Sequence, residues 1–261
     1  MFRRSSLARR LRKGPALLLA ADPGDRLLDA VRRFDPRAEP GDGFLELTFC
    51  LLTGPIEVTP ELAAAARLPE DVPIAYLPEH MSPQHAPNTS LVVSGLAHTL
   101  GGVRHPPDPD VPGDVWVDPV ASVFTVDLTP PDELHKLVAP YLPAAEVTEI
   151  PLAEYGIAGP DVVSGAISIE CGGLMSYDAT MPPPALRDPP ARYEYAIFVE
   201  HDSLPVAPEL LRRAGEVALA IAAGTAGRPL DINGFLISRP EDVHLDGVTG
   251  GRPGPLGSPG G

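Results

Sequence analysis

Two short segments carry the titratable side chains that recur at matching positions: Glu79-His80-Met81-Ser82 and Glu200-His201-Asp202-Ser203. An imidazole with an unperturbed pKa of about 6.5 gives or takes a proton near neutral pH. Two histidines brought together can act as a general acid and base, each positioned group typically worth ~10²–10⁴ in rate. Under that reading His80, Ser82, His201 and Ser203 form the catalytic set. The structural reading of the same residues is that Ser82, ahead of Pro83, and Ser203, ahead of Leu204-Pro205, cap helix starts. Serine commonly does so before a proline in the first turn. Glutamate and histidine are then solvated turn residues, and this is the expectation adopted.

Two H-x-S motifs on a duplicated scaffold of mixed helix and sheet resemble the 2H phosphoesterase superfamily. The resemblance is confined to His80, Ser82, His201 and Ser203. It implies a phosphodiester substrate of the nucleotide or RNA kind, processed by the two histidines in a cleft between two lobes. The chain departs from the family where Pro83 follows Ser82, because the family motif lies inside a strand and is followed by an apolar residue.

Other chemistry has weaker support. His80, His85, His201 and Asp202 with Glu79 and Glu200 contain metal-ligating groups, but no spacing such as H-E-x-x-H is present, and no metal is expected. The run Cys171-Gly172-Gly173-Leu174-Met175-Ser176-Tyr177-Asp178 lacks the lysine of a phosphate-binding loop, so its glycines read as a tight exit from a strand, and no cofactor is expected. Cys50 and Cys171 are too few for a disulfide framework and read as small core residues.

The elements that position these residues repeat along the chain. Leu19 to Pro36 lies ungapped on Val126 to Pro143, with Asp25 on Asp132, Leu27 on Leu134 and Val31 on Val138. Both read as an apolar strand, a turn and an amphipathic helix. Residues 74–82 lie ungapped on 195–203, which sets His80 on His201. Helices are expected over 91–100 and 209–223, each ending at a glycine suited to a left-handed cap. Strands over 44–51 and 166–171 lie between the blocks, matched by placing Leu45, Leu47 and Phe49 on Ile167, Ile169 and Cys171, which keeps the aliphatic stripe on one face. A last short strand follows each helix.

The expected fold class is therefore α+β, a tandem duplication of a ferredoxin-like βαββαβ unit forming two pseudo-symmetric lobes. The lobes span 15–105 and 122–246, joined by a Pro/Asp-rich linker over 106–121. Residues 1–14 read as a basic mobile tail that stays attached, since the apolar stretch after them is claimed as a core strand rather than a signal segment. Residues 247–261, rich in Gly and Pro, read as disordered.

Six cations precede the first acid, so residues 15–261 carry fourteen cations against thirty-five acids, a net of −21. A body so negative repels phosphate backbones and anionic lipid. Nucleic acid and membrane are disfavoured as partners, and a basic protein or peptide is favoured. The leading expectation is an acidic, cytoplasmic, non-enzymatic binding or interaction module, such as a regulator or immunity-type partner of a basic protein. The alternative is a hydrolase or phosphodiesterase-like enzyme using His80 and His201 in an inter-lobe cleft.

Overall fold

The computed structural model describes residues 2–69, 72–106, 119–148, 154–161, 165–173, 190–200 and 206–245. The chain divides into two compact units between residues 110 and 111, inside the stretch read as the linker. Among the described residues no helix is long and apolar enough to cross a membrane. The protein is mixed helix and sheet, with two antiparallel six-stranded sheets.

In the first unit β1 (Ala16–Leu19) is followed by α2 (Asp25–Phe34), the hairpin β2 (Glu39–Gly41) and β3 (Phe44–Glu46), and β4 (Cys50–Glu57). Then come α3 (Pro60–Ala66), β5 (Ile74–His80), α4 (Ala86–Leu100) and β6 (Val103–His105), with α1 (Phe2–Lys13) preceding them all. The strand order is β2-β3-β4-β5-β1-β6. In the second unit β7 (Ala121–Thr125), α5 (Pro131–Val138), β8 (Glu146–Thr148), β9 (Tyr155–Asp161), β10 (Gly165–Gly173), β11 (Tyr193–Glu200), α6 (Pro208–Thr225) and β12 (Arg228–Asp231) follow in turn. Their order is β12-β7-β11-β10-β9-β8. Read from the opposite edge, this is the arrangement of the first sheet strand for strand. Each sheet has six strands where the sequence reading expected four, because the hairpins at 39–46 and 146–161 add two strands to one edge.

Both faces of the first sheet are covered where β1 and β5 run through it. Ala16, Leu18, Ala75 and Leu77 pack with Ala8 and Leu11 of α1 and with Ala66 of α3. The alternating residues Leu17, Leu19 and Tyr76 point to the other face and are also buried. There α2 contributes Leu27, Ala30, Val31 and Phe34, a spacing that keeps all four on one side of a 3.6-residue helix. The stretch expected as a mobile basic tail is thus a packed helix. Arg9, Arg10, Arg12 and Lys13 are exposed, and its apolar residues at 8 and 11 supply a narrow stripe.

In the second unit one core gathers Leu134 and Val138 of α5, Leu210, Ala214, Val217, Ala218 and Ile221 of α6, and the sheet residues Val123, Tyr195, Ile197, Val199, Ile167, Ile169 and Cys171. Ser122 and Glu194 lie on the opposite face, where the serine hydroxyl donates to the glutamate at 2.7 Å. Burial raises the Glu194 pKa above the ordinary carboxylate value, and the Ser122 bond only partly opposes this. The ionised form is therefore disfavoured by folding, a cost absent below the unfolded pKa that grows as pH rises through the folded one. Glu194→Gln is expected to raise stability at pH 7, with the gain vanishing near pH 4. Urea unfolding at the two pH values reads the difference.

Pairing fixes how the two units correspond. Leu17 pairs with Tyr76 and Arg104, and Val123 pairs with Tyr195 and Pro229. The Tyr76 hydroxyl donates to Asp22 at 3.0 Å, and the Tyr195 hydroxyl accepts from the Thr129 amide at 2.8 Å. Each tyrosine thus reaches the loop that follows the first strand of its unit. Setting Tyr76 on Tyr195 brings His80 onto Val199, two residues from the expected match with His201. It also sets Cys50 and Leu52 on Ile167 and Ile169, since Cys50 pairs with His80 and Ile167 with Val199. The expected strand over 44–51 spans the turn between β3 and β4, which is why its match to 167–171 fails. The ungapped helix match holds, with Leu27 and Leu134, and Val31 and Val138, buried alike. Leu17 and Val123 show a one-residue slip in the preceding strand, enough to reverse its faces.

The paired glycines after α4 and α6 do two different jobs. Gly101 takes the left-handed cap with φ 68°, but after α6 that position is Ala226 at φ 53°. The second glycine is needed for space: a Cβ on Gly102 would lie 2.5 Å from the Leu18 carbonyl oxygen, and one on Gly227 would lie 2.7 Å from Val123 Cγ1.

Candidate functional site

His80 ends β5 and is exposed, paired across the sheet with buried Cys50. Met81 beside it is 52% exposed. Ser82 precedes the short 3-10 turn Pro83–His85, as the capping reading expects, but its side chain makes no cap hydrogen bond. The Ser82 hydroxyl is buried without a partner among the described residues. The turn is closed instead by backbone, the His85 amide donating to the Ser82 carbonyl at 3.0 Å. Ser82→Ala is accordingly expected to change stability by less than about 0.5 kcal/mol, where a true cap would cost ~0.5–2. Chemical denaturation of the variant separates the two. His201 and Ser203 lie outside the described residues, so only one half of the proposed histidine pair has a described position.

A third histidine is organised more firmly than His80. The His85 ring sits edge-on to Phe49, with centroids 6.5 Å apart, and its Nδ1–H donates to the Phe49 carbonyl at 3.1 Å. The Thr89 hydroxyl donates to the His85 carbonyl at 2.9 Å, locking the start of α4. Cys50 lies in the same region. Burial pushes its thiol up to about 12, outweighing the opposing influence of the nearby Thr89 hydroxyl. Cys171 is pushed up to about 11, again chiefly by burial. Both cysteines are free and buried, and a thiol held neutral at pH 7 is no nucleophile. Among the described residues no group of three or more His, Cys, Asp or Glu side chains is arranged to hold a metal ion.

A second buried polar group, Asp231, Asp242 and His244, is accounted for by structure. Asp231 accepts from the Asn233 and Phe235 amides at 2.9 Å and faces His244 Nε2 at 3.5 Å. Asp242 accepts from the Ser238 and Arg239 amides and from the Ser238 hydroxyl, shaping the turn over 238–242.

The exposed charge of the first sheet is arranged in a way that composition alone does not show. Glu39 pairs directly with Glu46, Glu46 with Leu51, and Leu51 with Glu79. Direct partners point to the same face, so three exposed glutamates form one row across four strands, about 14 Å long at a strand spacing of ~4.8 Å. Glu39 and Glu46 have no ion-pair partner among the described residues. Glu79 pairs with Arg10, whose helix α1 carries Arg9, Arg10, Arg12 and Lys13 on its exposed side. Like charges directly opposite on a sheet cost about 0.2–1 kcal/mol.

The second sheet ends at β8, whose three residues are all exposed, Val147 by 45%. Between this edge and α5 runs an open groove of about 430 Å³ lined by Asp132, His135, Lys136, Ala145, Glu146 and Val147. Sequence reasoning missed both surfaces, because each is built from residues that no motif links. No known protein family, curated protein or solved structure matches the chain.

Proposed function

We propose that the protein is a binding module for a basic protein or peptide, engaged through the glutamate row of the first sheet. One observation supports the reading above others: Glu39 and Glu46 stand directly opposite each other, exposed and with no ion-pair partner among the described residues. This is a standing cost to stability that a bound cation would relieve. The row already attracts positive charge at its other end, where Arg10 of the basic helix α1 meets Glu79. Arginine's forked guanidinium suits such carboxylates better than a lysine ammonium does. The net charge of the chain, −15, would speed the approach of a basic partner.

We further infer that the two units descend by tandem duplication from one ferredoxin-like βαββαβ unit, to which each copy adds an edge hairpin. The shared strand order and the paired tyrosine contacts support this. A cytoplasmic setting suits two cysteines that stay as free thiols.

The test is the double variant Glu39→Gln/Glu46→Gln. It is expected to unfold at higher urea, by about 0.2–1 kcal/mol, while binding a fluorescent arginine-rich peptide at least tenfold more weakly at 50 mM salt. Equal binding by parent and variant, or no binding by the parent, overturns the reading.

A further inference from the structure

Edge strands present unpaired backbone donors and acceptors, and proteins ordinarily blunt them with proline, charge or a covering element. The two sheets treat the same edge position differently. In the first, β2 reads Glu39-Pro40-Gly41, and Pro40 has no N–H to offer an added strand. In the second, β8 reads Glu146-Val147-Thr148, with no proline and all three residues exposed. It pairs on one side with β9, leaving its other side open among the described residues.

Next to β8 lies the groove against α5. His135 Nε2–H donates to the Ala145 carbonyl at 2.8 Å, which ties the helix to the start of the strand and fixes the groove between them. A groove between an edge strand and a helix is how extended peptides are taken up by strand addition, the main chain giving affinity and alternate side chains giving specificity. Val147, 45% exposed, offers apolar contact to an aliphatic side chain. The carboxylates of Asp132 and Glu146 offer charge to a cation, while Lys136 on the same wall opposes a run of adjacent cations.

We propose that β8 accepts, as a seventh strand, an extended segment of the partner in which aliphatic and basic residues alternate. The inference rests on the reading of the protein as a module for a basic partner, and adds a second contact and its mode. The probe is the fluorescent peptide acetyl-Val-Lys-Val-Lys-Val-amide, measured by anisotropy beside a copy N-methylated on alternate amides. The parent is expected to bind the first at least tenfold more tightly than the second, since N-methylation removes ladder donors and keeps the side chains. Glu146→Lys, an exposed change that leaves the backbone intact, is expected to lose tenfold or more, and Glu39→Gln/Glu46→Gln less than twofold. Amide exchange at residues 146–148 should slow on binding.

Equal binding of the two peptides overturns strand addition. Binding lost in the Glu39/Glu46 variant but kept in Glu146→Lys overturns the β8 site and leaves the module reading standing. A parent that ignores this peptide while binding the arginine-rich one has the same meaning. A parent that binds neither overturns both.

Discussion

Leu11→Ala is expected to lower stability by about 2–5 kcal/mol, the usual cost of emptying a large buried aliphatic site. Leu11 is fully buried although it stands among six cations in the first thirteen residues. It packs in the cluster of Ala8, Ala66, Leu68, Ala16, Leu18, Ala75 and Leu77, which joins α1 and α3 to the sheet. Four of the residues in that cluster are alanines, which have no reach to fill the space it leaves. A mobile tail would give a change near zero, so urea unfolding of this one variant separates a docked helix from a solvated one. Arg9→Ala, on the exposed side of the same helix, serves as the control and is expected to stay within about 0.5 kcal/mol.

Gly215→Ala carries the second large effect, and two terms of opposite sign decide it. In a helix interior, alanine is favoured over glycine by about 1 kcal/mol. A Cβ at 215, however, would lie 2.3 Å from the Pro240 carbonyl oxygen and 2.7 Å from Pro240 Cα, both backbone atoms of the turn Pro240–Asp242. That turn is held by the four hydrogen bonds to Asp242, so it has little freedom to retreat. Overpacking of this kind costs ~1–3 kcal/mol and sometimes more. The clash outweighs the propensity gain, and a net loss of up to about 2 kcal/mol is expected, read as a lowered Tm. A raised Tm would mean that α6 and the turn do not pack as described.

The parts of the fold that sequence made legible are those with strong local periodicity. Leu27 and Val31 against Leu134 and Val138 mark the same helix face twice, and that match survives in the structure. Strands were legible as elements but not in register. A strand repeats every two residues, so the identities of Glu79-His80 and Glu200-His201 were enough to suggest an alignment that the Tyr76 and Tyr195 contacts correct by two. The edge hairpins were not legible because Glu39–Gly41 and Glu146–Thr148 are short and exposed, with too few apolar residues to show an alternation. Nor was α1, whose two buried side chains are outnumbered by exposed arginines.

The candidate surfaces were hidden for a related reason. A row such as Glu39, Glu46 and Glu79 exists only once four strands are paired, and nothing in the spacing of the three residues along the chain reports it. His80 and Ser82 were conspicuous because they are close in sequence. The structure gives Ser82 no capping role and leaves His80 exposed at a strand end.

The most direct test of the account is a titration of the isotopically labelled protein with an arginine-rich peptide, followed by backbone NMR at low salt. The account predicts saturable shifts centred on Glu39, Glu46, Leu51 and Glu79, weakening as salt is raised and absent in Glu39→Gln/Glu46→Gln. Shifts that spare this row, or that persist unchanged in the double variant, would contradict it.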